Sequence, residues 1–167
     1  MTKKVTRRDF LKLTGATGAA MLLTSCQPKD VTAENRGMWD RVLGRPATDL
    51  PQIENAWAYE NNTLTLDLAK LPELEDLGGA VRIEGELLSD PVLVVLGEDE
   101  NYYAFKNACT HAGRMIDHLA GTMTLECCSF SQSTFDYEGN VLSGPAKEPL
   151  TSYAIAIDGQ MLEIDLN

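Results

Sequence analysis

The sequence predicts an all-β domain built from antiparallel sheets, and three observations support this prediction. From Asn61 onward, short runs of alternating or wholly apolar residues follow one another with turn residues between them. Asp158-Gly159 is a hairpin turn signal, in which glycine supplies the positive φ. Helical periodicity is almost absent, since only residues 67–77 have an apolar spacing that suits a helical turn. Short strands with close turns are typical of sandwiches and barrels.

Seven segments are predicted to be strands. Residues 91–96 are apolar throughout, as in a strand that is buried on both faces, whereas most of the others alternate polar and apolar side chains. In chain order the segments are 63–67, 80–84, 91–96, 101–106, 122–126, 152–157 and 161–165. A short helix is predicted upstream of them, around residues 38–43.

Residues 1–25 have the pattern of an export signal. Arg7-Arg8 precede a mildly apolar stretch, residues 13–24, that is too short to span a bilayer. The arginine pair indicates the twin-arginine route. Leu23-Thr24-Ser25-Cys26 resembles a bacterial lipobox, in which Cys26 is lipidated. We therefore expect a membrane-anchored lipoprotein that faces the periplasm or the cell exterior. The alternatives are an ordinary cleaved signal with a chance cysteine, and a plain membrane anchor.

Removing residues 1–25 takes the formal charge from −11 to −15, because this segment carries five basic residues and one acidic residue. Such an acidic chain argues against binding to nucleic acid or to anionic lipid by charge. Membrane attachment would instead come from acyl chains on Cys26, each buried CH₂ adding roughly 0.8 kcal/mol. Residues 26–57 are polar and are predicted to be a tether, and residues 58–167 are predicted to form one domain.

Three cysteines remain once Cys26 is assigned to lipid. They are Cys109, Cys127 and Cys128, an odd number for a compartment where disulfides persist. Metal ligation is the leading explanation for unpaired thiols in an exported protein. The run from Cys109 to Gly113 supports metal ligation, since packing alone does not explain a Cys-x-His pattern beside a glycine turn.

The segment from residue 108 to residue 153 carries a specific family resemblance. It contains Cys109-Thr110-His111-Ala112-Gly113, then Phe135-Asp136, and closes with Gly144-Pro145-Ala146. This arrangement resembles the Rieske iron–sulfur family, whose pattern is Cys-x-His, a spacer, and Cys-x-x-His on a second loop. The resemblance implies a Rieske-like sandwich with a two-loop, cluster-binding subdomain over residues 108–150. It also implies a [2Fe–2S] cluster held by one thiolate and one imidazole from each loop.

Carried over residue by residue, the resemblance assigns six positions to the cluster. With Phe135-Asp136 as the anchor, they are Cys109, His111, Cys128, Ser131, Ser133 and Pro145. Cys109 and Cys128 would supply the thiolates, and Ser133 would donate to a bridging sulfide. Pro145 would lie on the loop that covers the cluster. Ser131 stands where the family has its second histidine.

The serine at position 131 leaves four alternatives open. Ser131 itself ligates iron as an alkoxide; Cys127 takes its place in a three-cysteine set; His118 reaches the site; or the cluster is lost. A register with Cys127 as the second thiolate needs one extra residue before Phe135, so the sequence favours Cys128. Without such roles, His118 would be a solvated loop residue and Cys127 a half-buried strand thiol.

The resemblance implies a protein that transfers electrons and is not an enzyme by itself. It is similar to exported Rieske subunits such as the small subunit of arsenite oxidase. The expected partners are a catalytic subunit, a cytochrome or a quinol-linked complex, with His111 at the exposed edge as the electron exit. The alternative is a degenerate Rieske fold without iron that acts as a structural or interaction lipoprotein.

Overall fold

The computed structural model describes residues 38–43, 46–119 and 121–167, so the predicted export signal and Cys26 lie outside the described residues. These residues form eleven strands and a short helix, α1 (Met38–Leu43), at the predicted place. The strands are β1 (Trp57–Glu60), β2 (Thr63–Asp67), β3 (Ala80–Ile83), β4 (Val92–Leu96), β5 (Tyr102–Lys106), β6 (Ile116–Leu119), β7 (Thr124–Cys127), β8 (Thr134–Asp136), β9 (Val141–Ser143), β10 (Ala154–Asp158) and β11 (Met161–Asp165). Within this part of the chain, no helix has the length and apolar character needed to cross a membrane.

The strands form three antiparallel sheets, which confirms the predicted fold class. Their strand orders are β1-β2-β11-β10, β3-β4-β5 and β6-β7-β8-β9. All seven predicted segments contain strands, and two 3-10 helices, Leu68–Lys70 and Pro72–Leu74, occupy the predicted helical turn. Gly159 has a φ of 61°, as the hairpin turn between β10 and β11 requires.

Two hydrophobic cores lie on either side of the second sheet. The first packs β2 and β11 against β3 and β4, and the second packs β4 and β5 against β6, β7 and β8. Val92 and Val94 contribute to the first core, whereas Leu93 and Val95 contribute to the second. Successive side chains of a strand point to opposite faces, so a strand between two cores must be apolar at every position. This accounts for the unbroken apolar run of β4.

The third sheet presents its loops at one end, which we call the tip. Ile116 at the start of β6 pairs with Cys127 at the end of β7. Thr134 at the start of β8 pairs with Ser143 at the end of β9. The first loop (residues 107–115), the second loop (residues 128–133) and the proline loop (residues 144–153) therefore all leave the sheet at this tip.

Residues 46–52, which the sequence assigns to the tether, lie against the domain. We call this segment the N-terminal strap. The Asp49 C=O accepts the N–H of Arg82 on β3 at 2.9 Å, and the Gln52 N–H donates to Glu73 Oε1 at 3.0 Å. The strap thus covers part of the edge of β3, which would otherwise present unpaired backbone groups. These residues, in the C-terminal part of the predicted tether, are hydrogen-bonded to the domain. The tether and the domain boundaries stay predictions.

Candidate iron–sulfur site

The first loop surrounds the sulfur of Cys109 with hydrogen-bond donors. The Gly113 N–H donates to the Cys109 C=O at 2.7 Å, and Gly113 has a φ of 67°, which glycine adopts without strain. This turn directs the backbone N–H groups of His111 and Ala112 toward the Cys109 sulfur. Cys109 is almost completely buried. N–H donors around a buried sulfur favour its thiolate form, which is the form that binds metal ions.

A second buried thiol lies beside Cys109, and it belongs to Cys127 at the end of β7. A hydrogen bond between the two side chains is the main cause that lowers the pKa of Cys109 and raises the pKa of Cys127. Burial opposes the first shift and adds to the second. The Cys127 thiol also lies 3.2 Å from Ser129 Oγ, its hydrogen-bond partner on the second loop. Two adjacent thiols can bind a metal once both have released their protons.

Ser133 connects the proline loop to this thiol pair. Its side chain is fully buried, its Oγ accepts the Ala146 N–H at 3.0 Å, and its hydroxyl donates to the Cys109 sulfur. Gly144 allows the close approach of the two loops, because a Cβ at this position would lie 2.5 Å from the Cα of Ser133. Pro145 follows on the exposed side of the same loop.

Cys128 lies on the opposite face of the third sheet, and here the structure differs from the expected register. Its Sγ donates to Asp117 Oδ2 at 3.0 Å, inside the protein. The physical reason is the alternation of side chains along an extended chain: with Cys127 directed toward Cys109, Cys128 must point away. A register with Cys127 as the second thiolate would place the extra residue before Phe135 in the second loop.

The remaining expected ligands lie at the exposed tip. His111 and Ser131 both have exposed side chains. Ser131 Oγ lies 3.3 Å from Ser129 Oγ. The hydroxyl groups of Ser129 and Ser131 therefore form a hydrogen-bonded chain from the Cys127 thiol to the surface. Phe130 stands three residues after Cys127 and is 77% exposed. A phenyl ring has no donor atom for iron, although this is the position of the imidazole in a Cys-x-x-His pattern counted from Cys127.

His118 is a strand residue, which corrects the expectation of a solvated loop histidine. It lies on β6 opposite Leu125 and is half-buried. Burial lowers its pKa, and its Nδ1 is buried without a hydrogen-bond partner. The sequence pattern does not predict β6, because Asp117 and His118 interrupt the apolar residues of the strand.

The residues present fit one half of the implied cluster. Two buried thiols with N–H and O–H donors suit the thiolate-bound iron of a [2Fe–2S] cluster. The histidine-bound half has His111 and hydroxyl groups, but no second imidazole at the tip among the described residues. In the same part of the chain, His, Cys, Asp and Glu side chains do not gather in threes at a place that could hold a metal ion.

Sequence comparison identifies the family. Residues 68–154 match the family described as "Rieske [2Fe-2S] domain", and residues 4–24 match the "TAT (twin-arginine translocation) pathway signal sequence". The chain therefore belongs to the Rieske [2Fe–2S] domain family, whose cofactor is a [2Fe–2S] cluster. Its N-terminus is a twin-arginine export signal.

Curated relatives are ferredoxins of dioxygenase systems. The 3-phenylpropionate/cinnamic acid dioxygenase ferredoxin subunit of Escherichia coli (strain K12) is 29% identical over 108 residues, which are 64% of this chain and 94% of that protein. The naphthalene 1,2-dioxygenase system ferredoxin component of Pseudomonas aeruginosa is 36% identical over 102 residues, or 60% of this chain and 90% of that protein.

A solved structure supports the fold. The complex of reduced oxygenase and oxidized ferredoxin in carbazole 1,9a-dioxygenase contains a chain that matches with a TM-score of 0.51 at 20% identity. The match covers 64% of this chain and 95% of that chain. At this identity the likeness concerns the arrangement of strands alone.

Proposed function

We propose that this exported Rieske protein passes single electrons between two protein partners through a [2Fe–2S] cluster at the tip of its third sheet. A [2Fe–2S] cluster accepts and releases one electron at a time. The observation that carries the proposal is the pair of buried thiols, Cys109 and Cys127, among N–H and O–H donors. Hydrogen bonds to such sulfurs adjust a reduction potential, which is a property of electron carriers.

The proposed ligands are Cys109 and Cys127 for one iron and His111 for the other. The hydrogen bond of Cys128 to Asp117 favours Cys127 over Cys128, which the sequence alone preferred. Ser131 is the candidate for the fourth ligand, because its exposed hydroxyl is linked through Ser129 to the Cys127 thiol. Ser133 and Pro145 have supporting roles: Ser133 donates to the Cys109 sulfur, and Pro145 lies on the covering loop.

Reconstitution with iron and sulfide tests this proposal. The full chain should bind two irons and develop a visible charge-transfer spectrum, whereas Cys109→Ser should stay colourless. A colourless wild-type protein would support the rival function, a Rieske fold without iron that serves as an interaction lipoprotein. The incomplete histidine half of the site is the observation that keeps this rival in view.

Membrane attachment is proposed to come from lipid on Cys26. The support is the sequence Leu23-Thr24-Ser25-Cys26, which comes directly after the export signal. Cys26→Ala should release the protein from membranes, and replacement of Arg7 and Arg8 by lysine should block export. Complete retention of the Cys26→Ala protein in the membrane fraction would contradict lipidation.

The partner class follows from the relatives and from the exposed edge of the site. The curated relatives are ferredoxin components of dioxygenase systems. We propose an analogous redox partner for this chain: a catalytic subunit, a cytochrome or a quinol-linked complex. His111 is exposed at the tip and is the proposed point of electron exit.

A further inference from the structure

Asp117 is a fully buried acidic residue that the proposed electron transfer leaves without a role. It lies on β6 with 0% of its surface exposed. A buried carboxylate is costly unless several donors satisfy it. Asp117 Oδ2 accepts the Ala47 N–H at 2.9 Å and the Cys128 thiol at 3.0 Å, while Oδ1 accepts the Thr48 N–H at 3.0 Å.

These three donors come from two parts of the chain that are distant in sequence. Ala47 and Thr48 belong to the N-terminal strap, about 70 residues upstream of Asp117, and Cys128 begins the second loop. The strap continues to β3 through the bond between Asp49 and Arg82. One carboxylate therefore joins the strap to the loop that directly follows the proposed ligand Cys127.

The position of this bond decides which cysteine faces the site. Ile116 and Leu125 share a face with Cys127 in the second core, so Asp117 and Cys128 occupy the other face. Cys128 N–H also donates to the Met115 C=O at 2.8 Å, which extends the pairing of β6 with β7 by one residue. The Cys128 side chain is therefore bonded to Asp117 on β6, and the Cys128 backbone is bonded to Met115, which precedes β6. These two bonds hold the neighbouring Cys127 side chain in the direction of Cys109.

We propose that Asp117 is a positioning residue of the iron–sulfur site, which binds the N-terminal strap and Cys128 on one face of the sheet and thereby presents Cys127 to Cys109 on the other. This proposal rests on the proposed function, because it requires Cys127 to be a ligand. It makes the strap part of the redox domain and assigns Cys128 a hydrogen-bonding role.

The test compares Asp117→Asn with Glu73→Gln in the full-length chain. Both substitutions neutralise a carboxylate that accepts a strap N–H, but Glu73 lies at the far end of the strap on an exposed bond. Amide hydrogen exchange at Ala47 and Thr48 should accelerate about tenfold in Asp117→Asn. The reduction potential of the reconstituted protein should also shift, because Cys127 is no longer held in the same position relative to Cys109. Glu73→Gln should change neither quantity.

Cys128→Ser is the second variant, since its hydroxyl keeps a donor for Asp117 but cannot replace a thiolate. It should retain both exchange protection and two irons per chain. The proposal is overturned if Asp117→Asn affects exchange and potential no more than Glu73→Gln does, or if Cys128→Ser loses its iron. A colourless wild-type protein overturns the proposed function, and the positioning role with it, because that role requires Cys127 to be a ligand. Hydrogen exchange can be measured without a cluster, so it tests the role of Asp117 separately. A coloured protein with unchanged exchange overturns the positioning role alone.

Discussion

At the scale of single residues, the adjacent cysteines divide two tasks between the faces of one strand. Cys127 meets Cys109 in the second core, and Cys128 meets Asp117 on the other side. Neither partner is visible in the local sequence. The alternation of side chains makes the two environments mutually exclusive, so exchanging the roles of the cysteines would require a shift of the whole strand.

Substitution of each cysteine separately should give unequal results. Cys127→Ser should lose most of the iron after reconstitution, because a hydroxyl is a poor ligand for the iron that Cys109 and Cys127 are proposed to hold. Cys128→Ser should bind iron as the wild type does. Iron content per chain and the visible spectrum measure both effects. Loss of iron from Cys128→Ser with retention in Cys127→Ser would restore the register that the sequence alone favours.

A second pair of substitutions locates the missing imidazole. Counted from Cys127, the histidine position is Phe130; counted from Cys128, it is Ser131. We expect Phe130→His to strengthen cluster retention and raise the reduction potential, because a neutral imidazole replaces a weaker or anionic ligand. Ser131→His is the comparison variant: it replaces the proposed oxygen ligand itself but lies one residue beyond the Cys-x-x-His spacing from Cys127, so it should have the smaller effect. A redox titration of both variants measures the difference, and the opposite ranking would contradict the Cys127 register.

These site residues show how far sequence alone can go. Cys109, His111 and Ser133 could be proposed from local motifs, because each lies in a short loop whose glycine and aromatic anchors are adjacent. Asp117 could not be assigned, since its partners Ala47 and Cys128 come together only through tertiary packing. The proposed choice of Cys127 over Cys128 would require one extra residue in the second loop, and motif spacing alone does not detect an extra residue in a loop.

At the scale of elements, the proline loop closes against the second loop through a single glycine. Gly144 has a φ of 87°, and its missing Cβ leaves room for the Ser133 backbone. Gly144→Ala should lower the free energy of unfolding by about 2–5 kcal/mol, from positive φ and overpacking together. Gly159→Ala is the control: its φ is 61°, but nothing lies within 4 Å of an added Cβ. It should cost about 1–2 kcal/mol. Equal losses in urea unfolding would contradict the close contact.

Strand β6 should make the stability of the domain depend on pH through His118. Burial lowers the pKa of His118 from its usual 6.5, so near that pH the unfolded chain binds more protons than the folded one. Its contribution to stability is complete above pH 6.5 and is lost as the pH falls through the lower folded-state value. His118→Gln should therefore flatten the decline of the unfolding midpoint between pH 6.5 and more acidic conditions. An unchanged decline in iron-free protein would show that other groups cause it.

At the scale of the whole molecule, charge should govern how the protein meets other electron carriers. The chain without its signal carries a formal charge of −15, so its field attracts cations and repels anions. Reduction of a cationic complex such as hexaammineruthenium should be fast at low ionic strength and slow down with added salt. Oxidation by ferricyanide should show the reverse salt dependence. Stopped-flow rates measure both, and identical salt dependences would indicate a site remote from the acidic surface.

The all-β class could be read from the sequence because seven strands carry clear alternation or continuous apolar runs. The unpredicted strands are β1, β6, β8 and β9, and they have only three or four residues each. Segments of this length form strands because a neighbour supplies the hydrogen bonds, which is information from tertiary structure. The strap escaped prediction for the same reason, since polar residues near Pro46 and Pro51 have no pattern of their own.

The burial of the cysteines has a consequence for survival after export. Cys109, Cys127 and Cys128 are at most 1% exposed, and Cys127 and Cys128 point to opposite faces of their strand. An intramolecular disulfide between neighbours on opposite faces cannot reach the required geometry without backbone movement. Oxidants and thiol reagents can attack only when the fold opens locally. The lifetime of the Cys128 thiol in an oxidising compartment is therefore set by opening rates, whereas Cys109 and Cys127, which hydrogen-bond to each other, depend for protection on the cluster that they are proposed to bind.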